Sequence, residues 1–152
     1  MINLKNLIVN ILIPLLFGGL GSLLGNSSQG FNNIIKPSFV PPAFVFPIVW
    51  TILYTLMGIS SYIIYNSDNP NKKQALIFYF IQLILNSIWT FFFFNMKWFL
   101  FSFIWILVIL FFVCIMFYKF YKINKTAAFI QLPYIIWLTF ASIISYNVYL
   151  LN

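Results

Sequence analysis

The sequence predicts an all-α membrane protein, a bundle of five transmembrane helices in a single domain that covers residues 1–152. Composition is the first observation: 63% of the 152 residues are hydrophobic and 6% are charged, whereas about 25% of a soluble domain is charged. The second is that the apolar residues form five long, continuous runs, not the alternating segments of about 10 residues typical of transmembrane barrels. Lipid is therefore the expected solvent for most of the chain.

Each apolar run is near the length of about 20 residues that a spanning helix needs. The first run could be a signal peptide, but no clear small-x-small cleavage site follows it, so a retained helix is favoured. The short connection "NMK" makes the third and fourth helices antiparallel neighbours. The five predicted helices are Leu7–Leu24, Ala43–Tyr65, Gln74–Phe94, Trp98–Tyr118 and Thr126–Leu151.

The connection before the second helix is polar and contains a cluster of prolines. In "KPSFVPPAFVFPIVW", Pro37, Pro41 and Pro42 are expected to shape an extended approach to the helix, because proline lacks an N–H and fixes φ. Pro47 falls near the first turn, where proline is tolerated. We interpret the stretch as the rigid edge of a lid that delivers Trp50 into the bundle at a set angle. The alternative is that the prolines only terminate the loop.

The lysines predict how the bundle lies in the membrane. All eight lie between or beside the apolar runs, never as a dense patch, which suits loops at a bilayer surface and not a nucleic-acid partner. The side with more lysines is expected to face the cytoplasm, so the N-terminus is placed in the cytoplasm and the C-terminus outside. One side carries Lys5, Lys72, Lys73, Lys119, Lys122 and Lys125, and the other carries Lys36 and Lys97.

The ionisable residues exclude several kinds of chemistry. The chain has no His and no Glu, while Asp68 is its one acid and Cys114 its one cysteine. A transition-metal site needs several such ligands, so neither a metal nor an obligatory cofactor is expected. Paired carboxylates, a Ser-His-Asp triad and a Cys-His pair are absent from the sequence. A channel or transporter is disfavoured, since no span carries an Asp, Glu or Arg to mark an ion path.

Polar and aromatic residues inside the spans are the candidates for function, because lipid offers no hydrogen-bond partners. One interpretation is that Gln82 and Asn86 join helices by hydrogen bonds; another is that Asn86 and Trp50 offer donors to a ligand. Spacing alone favours the first. The residues that share a face are Gln82, Asn86 and Trp89 in the third helix, Trp137, Ala141 and Ser145 in the fifth, and Trp50, Tyr54, Met57 and Ser61 in the second.

Small residues mark the first helix. In "FGGLGSLLG", Gly18, Ser22 and Gly25 recur at near-helical spacing, and such faces let helix backbones approach closely. The stripe is compatible with packing inside the bundle, with a smooth wall of a ligand cavity, or with a dimer contact. The sequence does not separate these alternatives.

Four motifs, in order along the chain, resemble those of the translocator protein family, also called the tryptophan-rich sensory proteins and formerly the peripheral benzodiazepine receptors. They are "PLLFGGLGSLLG", "KPSFVPPAFVFPIVWTILYTLMGISSYIIY", "QLILNSIW" and "LPYIIWLTFASIISYNVYLLN". The resemblance covers nearly the whole chain, and the "KPS…PP" block is its most specific part. The chain is therefore similar to a bacterial-type member of this family, in the cell membrane.

The resemblance implies a five-helix receptor or carrier, often dimeric, that binds porphyrins, sterols or synthetic aromatic ligands in a pocket closed by the first loop. A homodimer and a tetrapyrrole such as protoporphyrin IX are the partners that it implies. The alternative function is an enzyme that degrades porphyrin with light and oxygen, with Trp50 and Trp137 as its catalytic residues. The ligand-binding residues carried over are Trp50, Asn86, Trp89, Trp137 and Ala141.

The sequence departs from the family pattern at two places. The tryptophan that follows "KPS" in the family is Phe39 here, so a role that needs an indole N–H at that position is lost. The family's C-terminal sterol pattern places a basic residue after a tyrosine. This chain ends "YNVYLLN" without one, which disfavours sterol recognition there.

Overall fold

The computed structural model describes residues 3–152, apart from the side chain of Ser28. Within that range, five helical segments are long and apolar enough to cross a membrane, which confirms the predicted all-helical class and the number of spans. α4 continues into a π-helical turn at Phe91–Asn95, and α6 and α7 together form the fifth span. The α-helices are α1 Leu4–Gly25, α2 Ser27–Asn32, α3 Val45–Tyr65, α4 Lys72–Thr90, α5 Phe99–Ile123, α6 Lys125–Phe129 and α7 Leu132–Leu151.

The helices pack around one main core. α1 packs on α3 and α4, α5 packs on α4 and α7, and α6 packs against α3 and α5. α1 presents several exposed leucines, of which Leu23 is the most open, as expected for a helix that faces lipid on one side. Fully buried core side chains include Met57, Ile64, Leu83, Ile109, Val113, Met116 and Phe120.

The first connection holds a short helix that the sequence did not predict. α1 ends at Gly25 and is capped by Asn26, whose left-handed backbone (φ 47°) stops the helix while its N–H donates to the Leu23 carbonyl at 3.2 Å. α2 begins at the next residue. The first connection is therefore a folded cap over one end of the bundle.

The prolines that follow α2 build turns instead of one extended approach. The carbonyl of Pro37 accepts from the Val40 N–H at 3.2 Å, and that of Pro42 accepts from the Val45 N–H at 3.0 Å. Pro47 is the third residue of α3, where a backbone N–H has no intrahelical acceptor in any case. Its place in the first turn is as predicted, and its missing donor removes no helical hydrogen bond.

The third span extends past its α-helical part as a π-helical turn. The Met96 N–H donates to the Phe91 carbonyl at 3.0 Å, which is the i→i+5 bond of a π-helix. Phe93 is buried here and Phe94 is half-buried. The chain then reverses at Lys97, whose φ is +54°. The wider turn directs consecutive phenylalanines toward the bundle.

The predicted fifth helix is divided, which corrects the expectation of one helix over Thr126–Leu151. α6 ends at Phe129 and α7 begins at Leu132. Pro133 is the reason: it has no N–H to donate to the carbonyl of Phe129, so the helical hydrogen bonds of α6 cannot continue through it. Asn124 caps α6, with its side chain accepting from the Ala127 N–H at 3.0 Å.

The fourth helix is longer than predicted, and runs to Ile123 instead of ending at Tyr118. Its last turns contain Lys119 and Lys122, whose ammonium groups lie 5.1 Å and 5.3 Å from the ring centres of Phe78 and Tyr118. Long lysine side chains bury their methylene groups and keep the charge at the interface. Charged residues can therefore extend a spanning helix beyond its apolar run.

The two groups of lysines lie at opposite ends of the bundle. The larger group belongs to the start of α1, the start of α4 and the region where α5 is followed by α6. Lys36 and Lys97 lie at the end that carries the first connection. The predicted orientation in the membrane depends on this separation of the lysines. The cytoplasmic location of the N-terminus stays a prediction.

Candidate ligand-binding site

A cavity of about 660 Å³ lies between α1, α3, α4 and α7, at the end of the bundle covered by the first connection. Each helical face identified from spacing contributes residues to its wall, although Gln82, Met57 and Ser61 of those faces do not line it. All five residues expected to bind a ligand are among its lining residues: Trp50, Asn86, Trp89, Trp137 and Ala141. The structure thus brings together residues from three helices, whereas their role toward a ligand stays a prediction.

Trp50 is held by two aromatic neighbours. Its ring stacks on that of Tyr54, with centres 5.3 Å apart and an angle of 28° between the planes. It also meets the ring of Tyr134 edge-on at 6.2 Å. Such pairs fix the orientation of a large side chain beyond what burial alone provides. The remaining surface of the Trp50 indole contributes to the cavity wall.

The two amides of α4 have different environments. Asn86 lines the cavity, and its Nδ2 donates to the Tyr54 hydroxyl on α3 at 3.1 Å. Gln82 is fully buried outside the cavity, and its Oε1 accepts from the Tyr134 hydroxyl on α7 at 2.7 Å. Interhelical hydrogen bonding is therefore present for both amides. Only Asn86 also lies where a ligand could reach it.

Trp89 has its N–H already occupied. The indole Nε1 donates to the Ser102 carbonyl on α5 at 2.9 Å, and the ring stacks on Phe93 at 4.6 Å. A polar carbonyl between two spans explains why this tryptophan lies deep in the bundle instead of at the interface. Trp89 can offer a ligand its aromatic surface, but not a hydrogen bond.

Two buried polar atoms on α7 have no hydrogen-bond partner within the described part of the chain. They are Nε1 of Trp137 and Oγ of Ser145, and both residues line the cavity. The two lie about two helical turns apart on one face, with Ala141 midway between them. Buried polar groups are almost always paired in native proteins. These two are therefore available to a polar substituent of a ligand.

The first connection supplies part of the cavity wall, through residues that the sequence interpretation did not name as site residues. The Lys36 ammonium donates to the carbonyls of Phe31 at 2.5 Å and Ile34 at 3.0 Å, and it lies 4.5 Å from the centre of the Phe31 ring. The Phe31 ring lies 5.1 Å from that of Phe46, which in turn meets Trp137 edge-on at 5.8 Å. A continuous set of contacts thus joins the connection to α7.

Other lining residues carry no sequence signal that separates them from ordinary core residues. Phe93 and Phe94 come from the π-helical turn, and Tyr54 was noted only as part of a stripe. The family-specific "KPS" block could have drawn attention to Lys36, which was used only to orient the bundle. Phe39, where the family has tryptophan, is exposed and contacts Phe140 at 6.5 Å; it does not line the cavity.

Exposed residues of α1 and α3 line one side of the cavity. Near the start of α1, the Asn3 N–H donates to the Tyr62 hydroxyl of α3 at 2.9 Å. Further along, α1 and α3 are in contact at Gly18, where an added Cβ would collide with the Tyr54 ring. The exposed residues Gly19 on α1 and Thr51 on α3 both line the cavity there. Their exposed surfaces lie at the depth of the apolar spans.

Comparison with known proteins agrees with the motifs. A family model described as TspO/MBR family matches residues 10–150. A tryptophan-rich sensory protein of Cereibacter sphaeroides is 33% identical over 132 residues, which cover 87% of this chain and 82% of that protein. A tryptophan-rich protein TspO of Archaeoglobus fulgidus is 33% identical over 152 residues, or 99% of each chain. A translocator protein of Sus scrofa is 31% identical over 147 residues, covering 91% and 85%.

These matches extend over nearly the whole chain and agree with its five apolar spans. The family expected from the four motifs is thereby confirmed: the chain is an integral membrane protein that belongs to the TspO/MBR family.

Proposed function

We propose that the protein is a membrane receptor or carrier for a flat hydrophobic ligand, a tetrapyrrole such as protoporphyrin IX, which binds in the cavity under the first connection. The observation that carries this proposal is the composition of the wall. Aromatic rings surround the cavity, and two buried polar atoms without partners, on Trp137 and Ser145, lie among them. A large apolar body with a few polar substituents satisfies both features.

The size and the chemistry of the cavity support a small-molecule ligand. Its volume of about 660 Å³ falls within the range of about 300–1,000 Å³ that is usual for such pockets, which are mostly apolar with a few placed polar groups. Aromatic side chains bury large areas and stack on flat partners. The chain's one acid, Asp68, lies in the α3–α4 connection, so the cavity offers binding surface and no carboxylate for acid–base catalysis.

The names of the relatives are compatible with such a role. One is called a tryptophan-rich sensory protein and another a translocator protein. Sensing and translocation both begin with reversible binding of a ligand by a membrane protein. We therefore propose binding as the shared step, and leave the direction of any transport outside the proposal.

A titration in the dark tests the binding proposal. Purified protein titrated with protoporphyrin IX should show saturable quenching of tryptophan fluorescence. Ala141→Phe should weaken binding about tenfold or more, because the added ring fills the cavity. Ile136→Phe is the matched control, since Ile136 lies on the same helix but is 68% exposed. Non-saturable quenching, or equal affinity for the two variants, would contradict the proposal.

A second candidate function is light-dependent degradation of the bound pigment, with dioxygen as the oxidant and the pigment as the species oxidised. The observation that favours it is that Trp50 and Trp137 both line the cavity. Trp50→Phe and Trp137→Phe keep a flat ring but lose the indole. Binding should stay within about tenfold, since one hydrogen bond contributes about 0.5–1.5 kcal/mol. Degradation under illumination should fall much further; unchanged rates in both variants would exclude this candidate.

A further inference from the structure

A second, smaller pocket lies at the end of the bundle opposite the first connection. It has a volume of about 160 Å³ and lies between the segment that leads into α4 and the last turns of α5. This volume is below the range of about 300–1,000 Å³ that is usual for drug-sized ligands, so the pocket suits one small polar group and not a whole pigment. Its polar lining residues are Asn69, Asn71, Gln74, Tyr118, Lys119 and Lys122.

The two lysines of this pocket keep hydrogen-bond donors for a ligand. Nζ of Lys119 donates to Oε1 of Gln74 at 3.0 Å, which joins α5 to α4. Lys122 lies 5.3 Å from the centre of the Tyr118 ring, and no oxygen atom in the described part of the chain accepts a hydrogen bond from it. Because each ammonium group has three N–H donors, two cations border the pocket with most of their donors uncommitted.

The turn before α4 adds neutral donors beside the two cations. The Asn71 N–H donates to Oδ1 of Asn69 at 2.9 Å. The oxygen of this amide is therefore held in the turn, and its Nδ2 remains as a donor for another acceptor. Phosphate oxygens accept hydrogen bonds from ammonium groups and from amide N–H groups alike.

No acidic side chain neutralises the pocket. Asp68, the single acid of the sequence, is exposed and does not line it. The nearby Lys72 has a different task, since its Nζ donates to two backbone carbonyls at and just after the end of α3, at 3.0 Å and 2.7 Å. The charges of Lys119 and Lys122 are thus the ones available to an anion in the pocket.

An apolar surface continues from the pocket into the spans. Lys119 lies 5.1 Å from the centre of the Phe78 ring on α4, and this ring contacts Phe112 of α5 at 6.2 Å. Their chain neighbours Ile77 and Phe111 are exposed. The pocket itself lies where one span begins and another ends, which is the depth of the lipid headgroups in a bilayer. An anion that carries acyl chains fits this arrangement better than a free ion.

We propose that this pocket binds the phosphate group of an anionic phospholipid. Lys119 and Lys122 supply the cations, the amides of Asn69 and Asn71 supply further donors, and the acyl chains lie along the apolar surface between α4 and α5. Basic pockets between transmembrane helices are a known type of headgroup site. The occupant is a lipid of the membrane itself, so this inference does not depend on the function proposed for the large cavity.

Native mass spectrometry of the protein in a neutral detergent measures lipid binding directly. Phosphatidylglycerol is anionic and should bind about tenfold or more tightly than phosphatidylcholine, which has a phosphate but no net charge. Lys119→Gln combined with Lys122→Gln keeps an amide donor at both positions. This double variant should lower the affinity for phosphatidylglycerol by about thirtyfold, the effect of two lysines beside anionic lipid.

A matched double variant controls for net charge. Lys73→Gln combined with Lys125→Gln removes the same charge from exposed lysines of the same end, outside the pocket. Its affinity should change less than about threefold, because exposed charges at a distance are screened by salt. Lys119→Arg combined with Lys122→Arg should retain most of the affinity, since arginine also binds phosphate. Melting temperatures of all variants report whether any loss comes from unfolding.

A soluble competitor separates a lipid from a free phosphate compound. Glycerol 3-phosphate carries the phosphate of the headgroup without acyl chains, and an excess of it should not displace phosphatidylglycerol. Displacement would assign the pocket to a soluble phosphate compound and overturn the lipid inference.

The remaining outcomes are distinct. A loss of phosphatidylglycerol binding that is confined to the glutamine variants of Lys119 and Lys122 supports a phosphate site in the pocket. Equal losses in the two glutamine double variants would indicate diffuse attraction to the basic end of the bundle, and would overturn the inference. Unchanged affinity in both, or equal affinity of the parent protein for the two lipids, would overturn it as well. None of these results alters the test of pigment binding in the large cavity.

Discussion

Tyr54 connects three helices at the wall of the cavity. Its hydroxyl accepts from Asn86 on α4, its ring stacks on Trp50 of its own helix, and the same ring fills the space above Gly18 of α1. A side chain at Gly18 would have to displace it. The glycine in α1 and the tyrosine in α3 therefore form one packing unit, and they set the orientation of the Trp50 indole.

Asn86 and Tyr54 share one hydrogen bond, and two variants can separate its structural contribution from ligand binding. Asn86→Ala and Tyr54→Phe both remove the bond, so each should lower stability by about 0.6–1.7 kcal/mol, the range for hydrogen bonds in membrane bundles. Tyr54→Phe leaves the amide in the cavity wall. If Asn86 is a ligand donor, only Asn86→Ala should weaken pigment binding, as measured by fluorescence titration. Equal affinities in the two variants would leave Asn86 with a structural role alone.

The sequence predicts cavity residues well on helices and poorly elsewhere. The positions of Asn86, Trp137 and Ala141 follow from the helical period, which determines which residues share a face. Lys36 and Phe46 could not be found this way, because a loop and the first turn of a helix have no established period. The Trp89 N–H donates to a carbonyl on another span. This hydrogen bond depends on tertiary packing, which a local sequence pattern does not predict.

At the scale of elements, glycines decide how closely α1 approaches its neighbours. A Cβ at Gly58 of α3 would collide with the backbone of Asn10 and Ile11 on α1. Pro14 has no N–H to donate to the Asn10 carbonyl, so this carbonyl faces α3 at the crossing point. Gly21, packed against the Ser87 backbone of α4, plays a similar part. Of the alternatives for the small residues of α1, packing within the bundle and a cavity wall are both observed.

A pair of Gly→Ala variants tests the close approach of helices. Gly58→Ala should destabilise the protein by about 1–3 kcal/mol, since neither backbone can move without repacking the core. Gly19→Ala is the control, because a methyl group there meets open space and alanine is the better helix former by about 0.5–1 kcal/mol. Thermal unfolding in detergent should show a lower melting temperature only for Gly58→Ala. Equal melting temperatures would mean that α1 is free to shift.

The breaks between elements follow proline chemistry, but only in part. Pro133 has a clear effect, since it separates α6 from α7, and the expectation of a continuous helix underestimated it. No proline marks the π-helical turn after Thr90, and its four consecutive phenylalanines are equally compatible with an α-helix, so the sequence does not predict it. α2 was missed because its residues, "SSQGFN", are those of a loop. The π-helical turn and α2 contact each other, and both contact α1; these tertiary contacts hold the two segments in place.

At the scale of the whole molecule, composition was sufficient for the fold class. Nine charged residues, eight basic and one acidic, cannot cover the surface of a soluble domain of this size, and continuous apolar runs leave helices as the way to satisfy the backbone. Composition does not predict which of the five spans pack against each other. α1 packs beside α4 as well as α3, a choice that depends on which small residues face which helix.

The orientation of the whole bundle can be measured by cysteine labelling. In a Cys114→Ala background, Asn33→Cys and Asn71→Cys place single thiols on exposed positions at opposite ends. The six-to-two division of the lysines predicts that a membrane-impermeant maleimide labels residue 33 in intact cells and residue 71 only after lysis. Labelling of residue 71 alone in intact cells would reverse the orientation.

The exposure of the cavity residues Gly19 and Thr51 has a consequence for how binding is measured. A hydrophobic ligand dissolves in the bilayer, and these two residues of the cavity wall belong to the spans, so they face that reservoir. The quantity that governs occupancy is then the mole fraction of ligand in lipid. Apparent dissociation constants quoted per volume should rise in proportion to the amount of lipid or detergent present, because each added micelle or vesicle dilutes the ligand that the protein encounters.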